Sequence, residues 1–381
     1  MRIESFKTFL VSNPPTHHGG LHWIFVKLVT DEGLIGYGET YAVPFRPHAV
    51  AALFQDVGER LVVGTDPFNT ERLWRTLYSV GYTQHPDLTT LGVLSAFETA
   101  CWDIVGKALK QPIYNLLGGG FHEKLRSYTY LYAEKPGEPS PHGDPDRAAE
   151  RSLAYVEQGF TAIKFDPIPG RPLSPQELSL DRLRNAENVV KKVRDAVGDR
   201  ADILIGTHGQ MAPDSAIRLA KRLEPYDPLW FEEPIPPENR AEMARVARAT
   251  TIPIATGERL STKYEFAEVI EQHAASILQF ALGRVGGILE AKKIASMAEA
   301  HYIHIAPHLY AGPIEGAANV QIDTCSPNFL IQESIEQWGG FHAELLKEPM
   351  RWEAGYILPP TGPGLGVELN EEVAERHAYV G

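Results

Sequence analysis

The chain opens with three apolar runs, RIESFKTFLV (2–11), LHWIFVKLVT (21–30) and DEGLIGYGE (31–39), that predict antiparallel strands, the last two joined through Asp31-Glu32-Gly33. From Pro47 to Lys110 the apolar residues shift to three-and-four spacing, in VAALFQDVGERL, ERLWRTLYSV and LSAFETACWDIVGKAL, which predicts helices. An α+β unit therefore comes first. Beyond Leu116-Leu117-Gly118-Gly119-Gly120, short apolar runs alternate with amphipathic stretches such as PDRAAERSLAYVEQG, SLDRLRNAENVVKKVRDAVG and GILEAKKIASMAEA. The runs lie at 127–132, 161–165, 202–205, 228–231, 252–256, 276–280, 302–306 and 328–331. No Gly-rich dinucleotide loop follows the first of them, so eight strand-helix repeats fit a closed parallel barrel better than an open doubly wound sheet. The fold class read from the pattern is α/β, a TIM-like (β/α)8 barrel with an N-terminal α+β capping domain. Its expected parts are 1–124 for the cap, 125–349 for the barrel, and 350–381 for a segment that returns to the cap. The Pro/Gly-rich pieces at 134–145 and 166–176 read as long loops after barrel strands.

Composition narrows the function classes. A chain of 381 residues, 43% apolar and 22% charged, can bury one large core and a smaller satellite. No apolar run reaches the roughly 18 to 20 residues that cross a bilayer, and MRIESFKTFL lacks a signal-peptide core, so a cytoplasmic protein without a membrane partner is expected. Cys101 and Cys325 sit far apart, with no spacing suited to zinc. A net charge of −13 argues against a nucleic-acid surface.

In a parallel barrel the working side chains stand at the C-terminal ends of the strands. The polar residues after each run are Lys164 and Asp166 (second), His208 (third), Glu232 and Glu233 (fourth), Glu258 (fifth), His308 (seventh) and Glu333 (eighth). Glu232 and Glu258 are 26 residues apart, one strand-helix-strand unit, and so could share one hard cation. Without a cation they would repel and be desolvated. Glu233 reads as an orienting or ion-paired residue rather than a ligand. A lone strand-end histidine is usually structural; here two face a mouth that already holds carboxylates, which favours chemistry. Lys164 could equally be an ion-pair partner of Asp166, since alternate strand residues share a face. Arg259 and Arg284 are placed either to bind a substrate carboxylate or to neutralise the surrounding acids.

Several motifs then converge. ACWDIVGKALKQPIYNLLGG, the strand ends FEEP and TGER, the glycine pair in RVGG and the tail GPGLGVELN resemble the mandelate racemase branch of the enolase superfamily over nearly the whole chain. With His208, the APHLYAGPI segment containing His308 and the IQES segment containing Glu333, the chain is most similar to galactonate-type acid-sugar dehydratases. The resemblance implies removal of the proton α to a carboxylate, with Mg2+ holding the enediolate. It casts His308 as base, His208 as the acid that helps expel the β-hydroxyl, and Glu333 as hydrogen-bond partner of the intermediate. The product would be a 2-keto-3-deoxy acid, the partner a small sugar acid, and the assembly a homo-oligomer.

Two positions depart from the family pattern. Where the family carries a third-strand metal carboxylate, 26 residues before Glu232, this chain has Gly206. Where the family carries an Asp after the sixth strand as partner to the seventh-strand His, it has Ala281. Asp166, at the end of the second strand beside the third, reads as a relocated ligand, so the expected metal set is Glu232, Glu258 and Asp166. Three readings stay open: the dehydratase; a racemase, epimerase or cycloisomerase with Lys164 as one base; and a non-catalytic barrel. Loops 12–21 and 41–45 of the cap are expected to touch the substrate.

Overall fold

The computed structural model describes residues 1–41, 45–82, 84–170 and 172–381. The cap is a three-stranded antiparallel sheet, β1 (Ile3–Ser12), β2 (His22–Thr30) and β3 (Ile35–Thr40), paired in register from Ser12 against His22 and from Ile24 against Thr40. Helices α1 (Pro47–Val57), α2 (Thr70–Tyr78) and α3 (Leu88–Leu109) cover it. The Asp87 side chain caps α3 by accepting from Thr89 N and Thr90 N, and the helix stops at Lys110 in the left-handed region. Helix α3 lies almost in contact with the β3 backbone. A Cβ at Gly38 would fall 1.9 Å from the Ala96 carbonyl oxygen, and one at Gly36 2.1 Å from that of Ala100. Those glycines in LIGYGE admit the helix; a methyl group at Gly38 would force the layers apart, at a cost of about 1–3 kcal/mol or more.

After α4 (Ile113–Leu116) the barrel strands follow in turn: β4 (Leu125–Tyr130), β5 (Ala162–Phe165), β6 (Asp202–Gly206), β7 (Trp230–Glu232), β8 (Ile254–Thr256), β9 (Ile277–Leu278), β10 (His304–Ile305) and β11 (Gln332–Ser334). Between them run α5 (Pro145–Glu157), α6 (Leu180–Val197), α7 (Pro213–Leu223), α8 (Arg240–Arg248), α9 (Thr262–Glu271), α10 (Leu282–Val285), α11 (Ile288–Glu299) and α12 (Pro313–Thr324). Consecutive strands from β4 to β10 pair in parallel. The ring closes because the eighth run serves both neighbours in succession: Phe329 bridges Ile305, and Glu333 then pairs with Tyr128 of β4. That is why its regular part begins at Gln332, just beyond the apolar run at 328–331.

Each strand sends one residue into the barrel axis. Tyr128, Ala162, Leu204, Trp230, Ala255, Ile277, Ala306 and Ile331 form a single buried cluster in which large and small side chains interleave. Since the side-chain period of a strand is two, the layer above is occupied by Tyr130, Lys164, Gly206, Glu232, Gly257, Gln279, His308 and Glu333. The polar floor of the mouth follows directly from the apolar packing beneath it.

The C-terminal segment, with α13 (Gly340–Glu344) before it, first forms a hairpin, β12 (Arg351–Glu353) and β13 (Tyr356–Leu358), that extends β4 antiparallel through Tyr356 opposite Arg126. Helix α14 (Glu371–Arg376) then leads to the cap, where Ala378 bridges Val11 and Ser12 N donates to the His377 carbonyl at 2.8 Å.

Cap and barrel meet through buried carboxylates. Glu98 of α3 accepts from Ile288 N (2.7 Å) and Leu289 N (3.0 Å) in the first turn of α11, and from Trp102 Nε1 (2.8 Å). Glu39 of β3 accepts from Gly312 N (2.5 Å) and Glu315 N (2.9 Å) at the start of α12. Asp103 takes the amides of Tyr37 and Leu365 together with the Lys107 ammonium. Burial raises the Glu98 carboxyl to about 8. The folded chain therefore holds this proton more tightly than the unfolded one: the contribution to stability is complete below the ordinary value of 4.5 and is lost as pH rises through about 8. In thermal unfolding, Glu98→Gln should be destabilised by about 1–3 kcal/mol near pH 6 through mismatched amide donors, with the gap to wild type narrowing as the solution is taken above about pH 8. A gap that stays constant across that range would show that Glu98 does not carry a shifted proton.

Candidate active site

Three carboxylates at the barrel mouth are each matched by one basic side chain from a different strand. Glu232 Oε1 lies 2.6 Å from Lys164 Nζ, Asp166 Oδ2 lies 2.7 Å from His208 Nδ1, and Glu258 Oε2 lies 3.2 Å from His308 Nε2. The sequence-level pairing of Lys164 with Asp166 is thus corrected. Lys164 reaches across to Glu232 and, at 3.6 Å, Glu333, because its ammonium sits in the floor layer while Asp166 stands one step higher. Trp230 Nε1 (3.1 Å) and Gln279 Nε2 (2.7 Å) both donate to Glu232 Oε2 and fix that carboxylate. Glu333 Oε2 accepts from Leu309 N at 2.9 Å. Glu233 is ion-paired with Arg259 at 2.7 Å, which ties that arginine down at the cavity wall.

The strand ends carrying these groups are strained. His208 and Glu233 hold φ of 47° and 40° without being glycine. Thr207 Oγ1 at 2.9 Å from the Glu232 carbonyl and Gly209 N at 2.7 Å from that of Glu233 lock the two turns together. Gly206 occupies the floor layer between them. A Cβ there would come within 2.3 Å of Asp166 Oδ1, so the carboxylate of Asp166 already fills the space that a side chain at 206 would need. Asp166 is also fixed from the β4–α5 loop, its amide donating to His142 Nδ1 at 3.3 Å.

For a divalent cation the donor chemistry fits. Asp166 Oδ1 and Glu258 Oε2 are buried oxygens with no hydrogen-bond partner among the described residues, and the first lies in the cradle opened by Gly206. Glu232 is turned instead to Lys164, Trp230 and Gln279, and in this arrangement no three His, Cys, Asp or Glu side chains among the described residues converge on one point.

The two histidines sit in opposite electrostatic settings. Asp166 pushes the His208 imidazole well above its ordinary value and, reciprocally, keeps its own carboxyl low against the upward pull of burial. With 44% of its side chain open to the mouth, His208 shares that pairing with solvent. Burial takes His308 down to about 4, reinforced by the Lys164 and Arg284 charges and only partly countered by Glu258. Its Nδ1 is buried and has no partner among the described residues, and Ala281, in parallel register on the adjoining strand end, has no side-chain group to offer it. Lys164 is pulled downward by burial, but Glu232 and Glu333 outweigh this and raise it.

All of this opens into a cavity of about 1410 Å³ that His208, His308, Lys164, Asp166, Glu258 and Glu333 line together. Thr16, His17 and His18 of the 12–21 loop line it from the cap, as does Tyr41. Of the 41–45 loop, 42–44 lie outside the described residues. The loop is held to the barrel by His18, which stacks on Tyr132 at 4.2 Å and lies 3.5 Å from Glu336. Arg284 is not a lining residue: its guanidinium lies 3.6 Å from the Tyr41 ring centroid and Nη1 donates to the Glu258 carbonyl. Tyr41 belongs to the 41–45 loop that the sequence singled out, whereas Trp230, Gln279 and His142 were not among the candidates read from it. A strand period of two from the interior cluster would have found Gln279 in the floor layer; nothing local marks the others.

Comparison with known proteins identifies the family. Residues 16–118 match the mandelate racemase/muconate lactonizing enzyme N-terminal domain, and residues 147–373 match the enolase C-terminal domain-like family. A D-galactonate dehydratase of Cronobacter sakazakii is 35% identical over 98% of this chain and 93% of its own length. A D-gluconate/D-galactonate dehydratase of Picrophilus torridus is 35% identical over 94% of this chain and 89% of its own. A mandelate racemase/muconate lactonizing enzyme-type crystal structure from Labrenzia alexandrii DFL-11 superposes with a TM-score of 0.97, at 57% identity, over 100% of this chain and 98% of that one. The chain belongs to the mandelate racemase/muconate lactonizing enzyme family of the enolase superfamily, with the family's capping domain set on a (β/α)8 barrel.

Proposed function

We propose that the protein dehydrates a sugar acid, as the relatives named galactonate and gluconate dehydratases do. One observation carries the reading. His208 follows β6 and His308 follows β10, four strands apart in a ring of eight, so the two imidazoles face one cavity from opposite sides. A dehydration needs this: one group takes the proton from the carbon next to the carboxylate, and another gives a proton to the hydroxyl leaving the next carbon. His308, kept neutral by burial, takes the α-proton; His208, beside Asp166, donates to the departing oxygen as the carbon-oxygen bond breaks. Water leaves, and the enol that remains tautomerises to the 2-keto-3-deoxy acid. Lys164, charged and tied to Glu232, suits charge stabilisation better than proton removal, which favours this reading over a racemase. Asp166, Glu258 and Glu232 are the residues that would hold Mg2+, and a bound Mg2+ would stabilise the negative charge that develops on the substrate carboxylate. Glu333, anchored by Leu309 N and near Lys164, is placed to hydrogen-bond that same carboxylate in its protonated form.

His308→Asn should abolish exchange of the α-proton with deuterated solvent, followed by NMR on a galactonate or gluconate substrate. His208→Asn should keep α-exchange while 2-keto-3-deoxy acid formation falls by about 10² to 10⁴, the usual contribution of a positioned acid. Normal dehydration by both variants would defeat the assignment and make Lys164 the leading base.

Asp166→Asn should weaken Mg2+ binding measured by isothermal titration, by about tenfold or more, since it removes the charge of the carboxylate that fills the Gly206 cradle. Unchanged affinity would remove Asp166 from the metal set.

A further inference from the structure

His308 lacks the hydrogen bond that ordinarily aims a catalytic imidazole. Ala281 is bridged to it in parallel register, so the gap lies on the adjoining strand end. Nδ1 is buried without a partner among the described residues, and Nε2 lies 3.2 Å from Glu258 and 3.8 Å from Glu333 without an aligned bond to Glu258 Oε2. The χ2 torsion of an imidazole is broad and roughly two-fold, so packing has to choose the ring's orientation.

The aromatic ring that packs on His308 comes from the cap. Tyr41, one residue beyond β3, places its ring 5.6 Å from the imidazole at 41°. Arg284 lies on the Tyr41 ring at 3.6 Å, a close cation-π distance, and its Nη1 donates to the Glu258 carbonyl at 2.8 Å. Tyr41 N donates to the Gly283 carbonyl at 3.4 Å. Gly283 and Arg284 both belong to α10, whose N-cap is Ala281 itself. The turn that cannot supply a carboxylate to the histidine therefore supplies the two groups that hold Tyr41 over it.

We propose that Tyr41, braced by Arg284, is the positioning residue of His308, doing by ring packing what a carboxylate at position 281 would do by hydrogen bonding. The role of the histidine rests on the base assignment made above; its orientation does not. A direct consequence is that the base is aimed only when cap and barrel are docked, because Tyr41 continues the strand that Glu39 anchors on α12.

The test uses the full-length protein in two arms. The first needs no substrate: histidine-ring nitrogen-proton correlation spectra at a single pH, with His308 assigned by its loss in His308→Asn. Wild type and Tyr41→Phe should give one sharp His308 ring pattern, and Tyr41→Ala and Arg284→Met a broadened or doubled one. The second arm is α-proton exchange. Tyr41→Ala should lower kcat by about 10- to 100-fold, the effect of a misplacement on the order of 1 Å, with KM little changed. Tyr41→Phe should recover most of that loss. An unchanged, sharp His308 pattern in Tyr41→Ala overturns the proposal, as does a loss of activity in Tyr41→Phe equal to that in Tyr41→Ala. If Tyr41→Ala does not fold, Arg284→Met carries both arms, and an undisturbed His308 pattern there overturns the proposal. A loosened ring in a protein whose wild type exchanges no α-proton upholds the positioning role and removes the dehydratase reading instead.

Discussion

Glu98 and Glu39 leave the cap and end on the first peptide N–H groups of α11 and α12, and most of the architecture depends on that contact. The opening amides of a helix have no partners of their own, and leaving them bare inside a protein costs several kcal/mol. Helix α12 is buried along its whole length, so water cannot satisfy its amides from outside. A carboxyl group reaches two of these amides at once, and once ionised its charge suits the positive helix end. The penalty is desolvation, visible in the upward shift of Glu98, and of Glu39, which has Glu315 as a further acidic neighbour. Docking is therefore stereospecific: only one placement of the cap satisfies both helices.

That placement decides who faces the substrate. With Glu39 seated on α12, the next residues of the chain, Thr40 and Tyr41, are delivered to the barrel mouth beside His308. The β1–β2 loop arrives at the rim above β4 and β11, where His18 stacks on Tyr132 and Glu336 is held in turn by Arg151 and Tyr155. The loop is also stiffened internally by Asn13 Nδ2, which donates to the carbonyls of His18 and Gly20. A cap assembled this way brings aromatic rings to a mouth whose floor is charged.

The floor itself is arranged by matching each acid to one base. Carboxylates on neighbouring strands would repel, and burying them together would be costly. Lys164 and His208 offset this at Glu232 and Asp166, while Glu258 is left with a neutral histidine and an oxygen that has no donor among the described residues. The glycine at 206 belongs to the same arrangement, for the Asp166 carboxylate takes up its missing volume.

The repeat of apolar runs contained the barrel, because the period-two alternation and the helix spacing are local properties that burial imposes on any sequence of this fold. The rule that working side chains follow barrel strands marked Lys164, Asp166, His208, Glu232, Glu258, His308 and Glu333. What those residues touch was not legible. Lys164 could be paired on paper with Asp166, two residues away; in the folded protein it reaches Glu232, 68 positions on, because charge pairing in a barrel runs between strands. Helix α12 escaped the amphipathic pattern since it has no exposed face to mark. Tyr41 and Arg284, more than two hundred residues apart, meet over His308 only because Glu39 and Glu98 bind helix ends in the other domain. Local periodicity is written residue by residue and can be read in one dimension; a contact between domains depends on where two rigid bodies come to rest, and that is set by the sum of their buried hydrogen bonds.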